Sequence, residues 1–158
     1  MRKAIEVLLI SLLWLLSVGH SIASDTPNTV NKPDTLTQAR QQISKKNWPA
    51  AIAELKRVNE SDNADWNNLM GFSLRKGDKP DLIAAERYYS EALRIDPKHR
   101  GALEYSGELY LMTGNLSKAE ERLSALGKIC FFPCEEYTDL KNAVLRFKTN
   151  GNKYVALQ

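Results

Sequence analysis

Few side chains in this 158-residue chain could carry chemistry, and the first to weigh are Cys130 and Cys134. Two cysteines with three residues between them have two uses. In an oxidising compartment they close a disulfide. As thiolates they can hold soft Cu(I), given a third ligand. A straight helix would oppose the bridge, because side chains at i and i+4 leave it in parallel. Pro133 breaks such a helix, so the loop Cys130-Phe131-Phe132-Pro133-Cys134 can close. The copper reading lacks its third ligand, since His99 is far along the chain and the other histidine, His20, falls in the leader described below. No Cys-x2-Cys redox motif is present. A structural disulfide is the expected use, with a redox- or copper-linked accessory role as the alternative.

Acid–base and nucleophilic chemistry find little support. Glu104 and Glu108 sit at i and i+4, the spacing of two carboxylates on one helix face. Such a pair can do general acid–base work, but on a helix it is ordinarily solvated surface. His99 follows Pro97 in a linker and reads as a solvated loop histidine. Gly77 and Gly114 fall between helices rather than ahead of a phosphate-binding one. The expectation is a non-enzymatic chain with no catalytic residue, no cofactor and no metal site.

These residues must be positioned by helices, and the apolar pattern says which. Ala51, Ala85 and Ala119 recur every 34 residues, followed at a fixed offset by Leu55, Tyr89 and Leu123, and then by Val58, Ala92 and Leu126. Small, large and apolar at i, i+4 and i+7 is one face of a helix. Three copies at a fixed period mean three copies of one supersecondary unit. The first unit starts near Asp34, with Asp34 or Thr35 as N-cap, turns at Lys46-Asn47 and continues through Ala50–Val58. The second spans Ala64–Lys76 and Leu82–Ile95 around a longer turn at Gly77–Asp81. The third runs from Leu103 through Gly107 and Tyr110, turns at Gly114-Asn115, and closes with Ala119, Leu123 and Leu126. Past Lys128 the period breaks. Glu135–Lys148 then forms one more amphipathic helix, with Tyr137, Leu140, Val144 and Phe147 on one face. Its acidic start and basic end suit the helix dipole. An end repeat exposes an apolar face, and this helix is placed to cover it.

The motif Leu103-x2-Ser106-Gly107-x2-Tyr110 with Ala119-x3-Leu123, and Ala85-x3-Tyr89 with Pro97, resembles the tetratricopeptide repeat across roughly 34–147. The resemblance implies an all-α fold: an α-solenoid of about three helix–turn–helix repeats with a C-terminal capping helix. It also implies a protein-interaction adaptor whose first helices line a concave groove for an extended peptide or a helix. In that register the groove residues are Arg40, Asn68, Phe72, Arg75, Glu104, Glu108 and Leu111. Charges of both signs with one aromatic suit a polar peptide. The asparagine–lysine clamp that some members use for a C-terminal carboxylate is not evident.

Composition fits this reading. With 43% apolar and 26% charged residues the chain can bury a core, and a formal charge of +3 is too small to argue for nucleic acid. Met1–Ala23 has the layout of a secretory signal: Arg2 and Lys3, the apolar run Val7–Leu16 broken by Ser11, then Ser21-Ile22-Ala23. Its apolar run is well short of the ~20 residues that span a bilayer. Cleavage would leave 20 basic and 18 acidic residues, a net of +2. The expected organisation is a signal over 1–23, a flexible lead-in over 24–33, repeats over 34–128, the cysteine loop and capping helix over 129–149, and a loose tail over 150–158. The expected location is an exported one, the periplasm, with an uncleaved membrane anchor as the alternative. The expected partner is a protein or peptide, without nucleic acid or stable membrane insertion. A subunit that stacks through its exposed repeat ends is a further rival.

Overall fold

The computed structural model describes residues 34–132 and 134–155. The expected signal over 1–23, the lead-in over 24–33, Pro133 and residues 156–158 lie outside the described residues. Seven helices follow one another: α1 (Thr37–Ser44), α2 (Trp48–Val58), α3 (Ala64–Lys76), α4 (Leu82–Ile95), α5 (Arg100–Met112), α6 (Leu116–Ile129) and α7 (Glu135–Thr149). There is no strand among the described residues. The helices pair as α1 with α2, α3 with α4, and α5 with α6, and successive pairs meet through α2 on α3 and α4 on α5. The first helices also touch one another, α1 on α3 and α3 on α5. This is the repeat array expected of an all-α solenoid.

Local chemistry sets the helix starts. Asn47, Asp81 and Asn115 each accept a hydrogen bond from a backbone N–H three residues on, at Ala50, Ala84 and Lys118. These caps satisfy donors that a helix start leaves open, and they recur at the 34-residue period. Lys46 and Gly114 precede their caps with φ of 55° and 75°, the left-handed turn that a short link requires. The equivalent place in the second unit is Pro80, whose ring forbids positive φ. That accounts for the longer Gly77–Asp81 turn. The first helix differs from expectation at its start. Its N-cap is Leu36, while the Asp34 carboxylate accepts from the Leu36 N–H and the Thr37 hydroxyl.

Packing follows the small–large alternation. A Cβ on Gly71 would fall 2.8 Å from Tyr89 Cε1, and one on Gly107 would fall 2.5 Å from Leu140 Cδ2. Both glycines therefore mark places where a large side chain of another helix lies against backbone. Between the first two units, Trp66 Nε1 donates to the Leu55 carbonyl at 2.7 Å. At the far end α7 packs on α5 and α6. It buries Leu140, Ala143, Val144 and Phe147, and full burial of each larger side chain is worth about 1.5–3 kcal/mol. Cys130 and Cys134 are joined, with Cα atoms 5.8 Å apart, so the link tethers the end of α6 to the start of α7. No helix among the described residues is long and apolar enough to cross a membrane.

Candidate functional site

The first helices present one face on which α3, α5 and α7 meet side by side. Asn68, Phe72 and Arg75 lie on successive turns of α3. Opposite them on α5 stand Gly101, Tyr105 and Glu108, and the pairing is specific. Asn68 Nδ2 would sit 3.1 Å from a Cβ on Gly101, the Phe72 and Tyr105 rings are 4.7 Å apart, and Arg75 Nη1 donates to Glu108 Oε2 at 2.7 Å. Both helices thus run in the same direction and in register. Phe72 has company: Trp48 meets it edge-on at 5.9 Å. The lone aromatic expected at this face is one of a row of three.

Arg75 is built into the floor rather than offered as free surface. Its side chain is 2% exposed. Besides Glu108 it reaches the Tyr89 hydroxyl at 3.3 Å, and its guanidinium lies 5.6 Å from the Phe72 ring centre and 5.5 Å from that of Tyr105. Burial opposes its charge, but the Tyr89 and Glu108 oxygens more than offset that and raise its pKa. Burial likewise raises the Tyr89 hydroxyl, with Arg75 pulling the other way.

Glu104 is the unbalanced group. It is buried on α5, one turn from Glu108, and α7 brings Glu136 and Asp139 towards it. Burial first, then the charges of Glu108, Asp139 and Glu136, push its carboxyl up to about 8, and Arg75 offsets this only in part. Asn68 is 7% exposed, and its Oδ1 has no hydrogen-bond partner. A buried acceptor without a donor is destabilising. The face thus combines a floor of rings and a neutralised ion pair with one buried acceptor that lacks a donor and a carboxyl crowded by like charges.

A second polar chain crosses the starts of α1, α3 and α5. Arg40 Nη2 donates to Asp65 Oδ2 at 2.9 Å, and His99 Nε2 meets Asp65 Oδ1 at 2.9 Å. His99 Nδ1 accepts from the Ala102 N–H, which puts its proton on Nε2, towards Asp65. Burial opposes it, yet the hydrogen bonds from His99 and Arg40 hold the Asp65 carboxyl below its ordinary range. His99 is therefore the N-cap of α5 and a link between repeats, not the solvated loop residue its sequence position suggested. Spacing held a signal for this: Asp65 and His99 are 34 residues apart.

Of the groove residues expected from sequence, Asn68, Phe72, Arg75, Glu104 and Glu108 come together on the α3–α5 face. Arg40 stands beyond Asp65 and is spent on that carboxylate and on Asp34 at 3.6 Å. Leu111 does not belong. It shares the i, i+4, i+7 strip of Glu104 and Glu108, yet it is fully buried in the core cluster formed by α4–α7, so it offers no surface to a ligand. Reasoning from sequence also missed Tyr105, Glu136 and Asp139.

A cleft of about 600 Å³ lies elsewhere, lined by Asn59, Ser61, Trp66, Asn67, Arg87, Tyr88 and Glu91. Its buried polar groups are already satisfied: Asn67 Nδ2 donates to the Ser61 and Asn63 carbonyls, and Trp66 Nε1 to Leu55. Volume without unmet chemistry does not select it. No group of three or more His, Cys, Asp or Glu side chains among the described residues is arranged to hold a metal.

No curated protein sequence matches the chain. A family model for the tetratricopeptide repeat matches residues 81–141. The match opens at the Asp81 cap of α4, takes in α5 and α6, and ends within α7. It covers the segment where the 34-residue pattern is cleanest. Repeats of this kind are protein-interaction modules, and residues 81–141 of this chain are tetratricopeptide repeat.

Proposed function

We propose that the chain is a non-enzymatic adaptor that holds a segment of another polypeptide in the groove formed by α3, α5 and α7. The observation that carries this is the pairing of an unmet acceptor and a crowded carboxyl with a preformed aromatic floor. Asn68 Oδ1 lacks a donor, and Glu104 sits among Glu108, Asp139 and Glu136. A peptide backbone N–H can serve the first. A basic side chain can serve the second, and its arrival would favour ionised Glu104. Phe72 and Tyr105 offer apolar area beside both. The ligand that fits is therefore an extended segment with at least one lysine or arginine. The same chemistry gives no nucleophile or acid–base pair a substrate to act on.

The cysteine loop supports an exported location, the periplasm, since disulfides persist in oxidising compartments. The apolar run over 7–16 supports it from sequence. In the copper-linked alternative both sulfurs would have to be free thiolates, and here they are bonded to each other.

Photo-crosslinking in the source cells tests the groove. A photoreactive residue replacing Asp139, on the groove edge, should give a discrete protein adduct that digestion maps to one basic segment. The same residue replacing Ser90, on the outer side of α4, should not. Equal adducts from both positions would reject the groove as the binding surface.

A further inference from the structure

The residues after α7 were expected to be a loose tail, yet the described part of them turns back. Gly151 and Asn152 adopt φ of 66° and 62°, the left-handed region that reverses a chain leaving a helix. The Asn152 N–H is held by the Phe147 carbonyl at 2.9 Å, and Asn150 Nδ2 reaches the Lys153 carbonyl at 3.5 Å. This returns Tyr154 to the helix array, where its ring packs, half-buried, against the core cluster formed by α4–α7. Its hydroxyl lies within hydrogen-bond reach of Arg75, and the charges of Glu108 and Arg146 also act on it. Arg146 Nε is itself buried without a partner. A phenol oxygen can accept from the Arg75 guanidinium at this place.

We infer that the Arg75–Glu108 end of the groove is a tyrosine-reading subsite, occupied in the free chain by Tyr154 of its own tail. This rests on the groove reading above and names both a feature of the partner and a control on its entry. Arg75 is prepared for a ring at this place, with Phe72 and Tyr105 stacked beside it and its charge balanced by Glu108. The partner segment accordingly carries a tyrosine on one side of its basic residue. It must displace Tyr154 to seat that ring. A tethered competitor acts at an effective concentration of about a millimolar, so occupancy by the tail lowers the apparent affinity of any ligand by the fraction of time the seat is filled.

The test uses the full chain and two peptides. The probe is a synthetic peptide of residues 149–158, and its control carries Ala in place of the tyrosine. Both are titrated to millimolar concentration into isotopically labelled wild-type chain and into the Tyr154→Ala variant, reading amide shifts. The expected result is saturable shifts at Arg75, Tyr105 and Glu108 in Tyr154→Ala. Wild type should need at least ten-fold more peptide, and the alanine peptide should leave those amides unmoved. Equal response of wild type and variant, no response of the variant, or equal response to both peptides would overturn the proposal. Through-space contacts between the Tyr154 ring and Arg75 in the free wild-type chain separate the two readings. Their absence sinks the tail proposal and leaves the Asp139 crosslinking result standing. Their presence, with no groove adduct from either chain, retains the seated tail and rejects the groove as a receptor.

Discussion

Replacing Glu104 with glutamine should stabilise the protein, and increasingly so as the pH rises. In the unfolded chain this carboxyl titrates at its ordinary 4.5; in the fold, burial and the charges of Glu108, Asp139 and Glu136 lift it to about 8. The folded state thus holds the proton more tightly than the unfolded state. Stability from this group is full below pH 4.5, falls as the pH rises from there to about 8, and is flat above. Each pKa unit is worth about 1.4 kcal/mol, so the full span approaches about 5 kcal/mol. Solvent contact along one side of the carboxyl trims this to roughly 2–5 kcal/mol. Glutamine keeps the shape of the protonated acid and cannot ionise. Urea unfolding of wild type and Glu104→Gln at pH 4.5, 6 and 8.5 measures the effect. Near-equal stability at the lowest pH, with a gap opening to at least 2 kcal/mol at the highest, is expected. A gap that stays constant with pH would refute the reasoning, because the penalty would then not be one of charge.

Glu108→Gln should cost about 3–5 kcal/mol by leaving the Arg75 charge buried and uncompensated. Adding Arg75→Met should return part of that loss in denaturant unfolding, and an undiminished loss in the double variant would contradict the account of the pair. Gly107→Val should lower stability by at least about 1–3 kcal/mol, because its branched side chain enters space held by Leu140; an unchanged melting curve would count against the helix crossing. Serine at both Cys130 and Cys134 should cost no more than about 2 kcal/mol, since the loop it opens is short. Hydrogen exchange should quicken in the first turn of α7 and stay unchanged in α3 and α4. A global rise in exchange would show that the bridge does more than set the angle of that helix.

The sequence announced the helical array because its signal was periodic. Ala51, Ala85 and Ala119 with their large followers had to face neighbouring helices, and Gly71 and Gly107 had to let Tyr89 and Leu140 approach. The caps Asn47, Asp81 and Asn115 of α2, α4 and α6 were open to the same reading at the same interval. The face of the groove was only partly readable. Register placed Asn68, Phe72, Arg75, Glu104 and Glu108 together, but it could not say that Arg75 would be buried or Glu104 left unbalanced. The second outcome depends in part on α7, which lies outside the period and brings Glu136 and Asp139 from a helix with no counterpart upstream. Leu111 went wrong because the i, i+4, i+7 strip fixes direction but not cover, and at its third turn the strip is closed over by the core cluster. Tyr154 carried no signal at all. Its place follows from a chain reversal at Gly151 and Asn152, which spacing cannot foresee.

The central claim is that the face shared by α3, α5 and α7 receives another polypeptide. The basic segment recovered from the Asp139 adduct, made synthetically and titrated into the labelled full chain, tests it most directly. Amide shifts should gather at Asn68, Phe72, Tyr105 and Glu108 and should weaken in Asn68→Ala. Shifts gathered instead along Ile83, Arg87, Ser90 and Arg94 on the outer side of α4, or none anywhere, would contradict it.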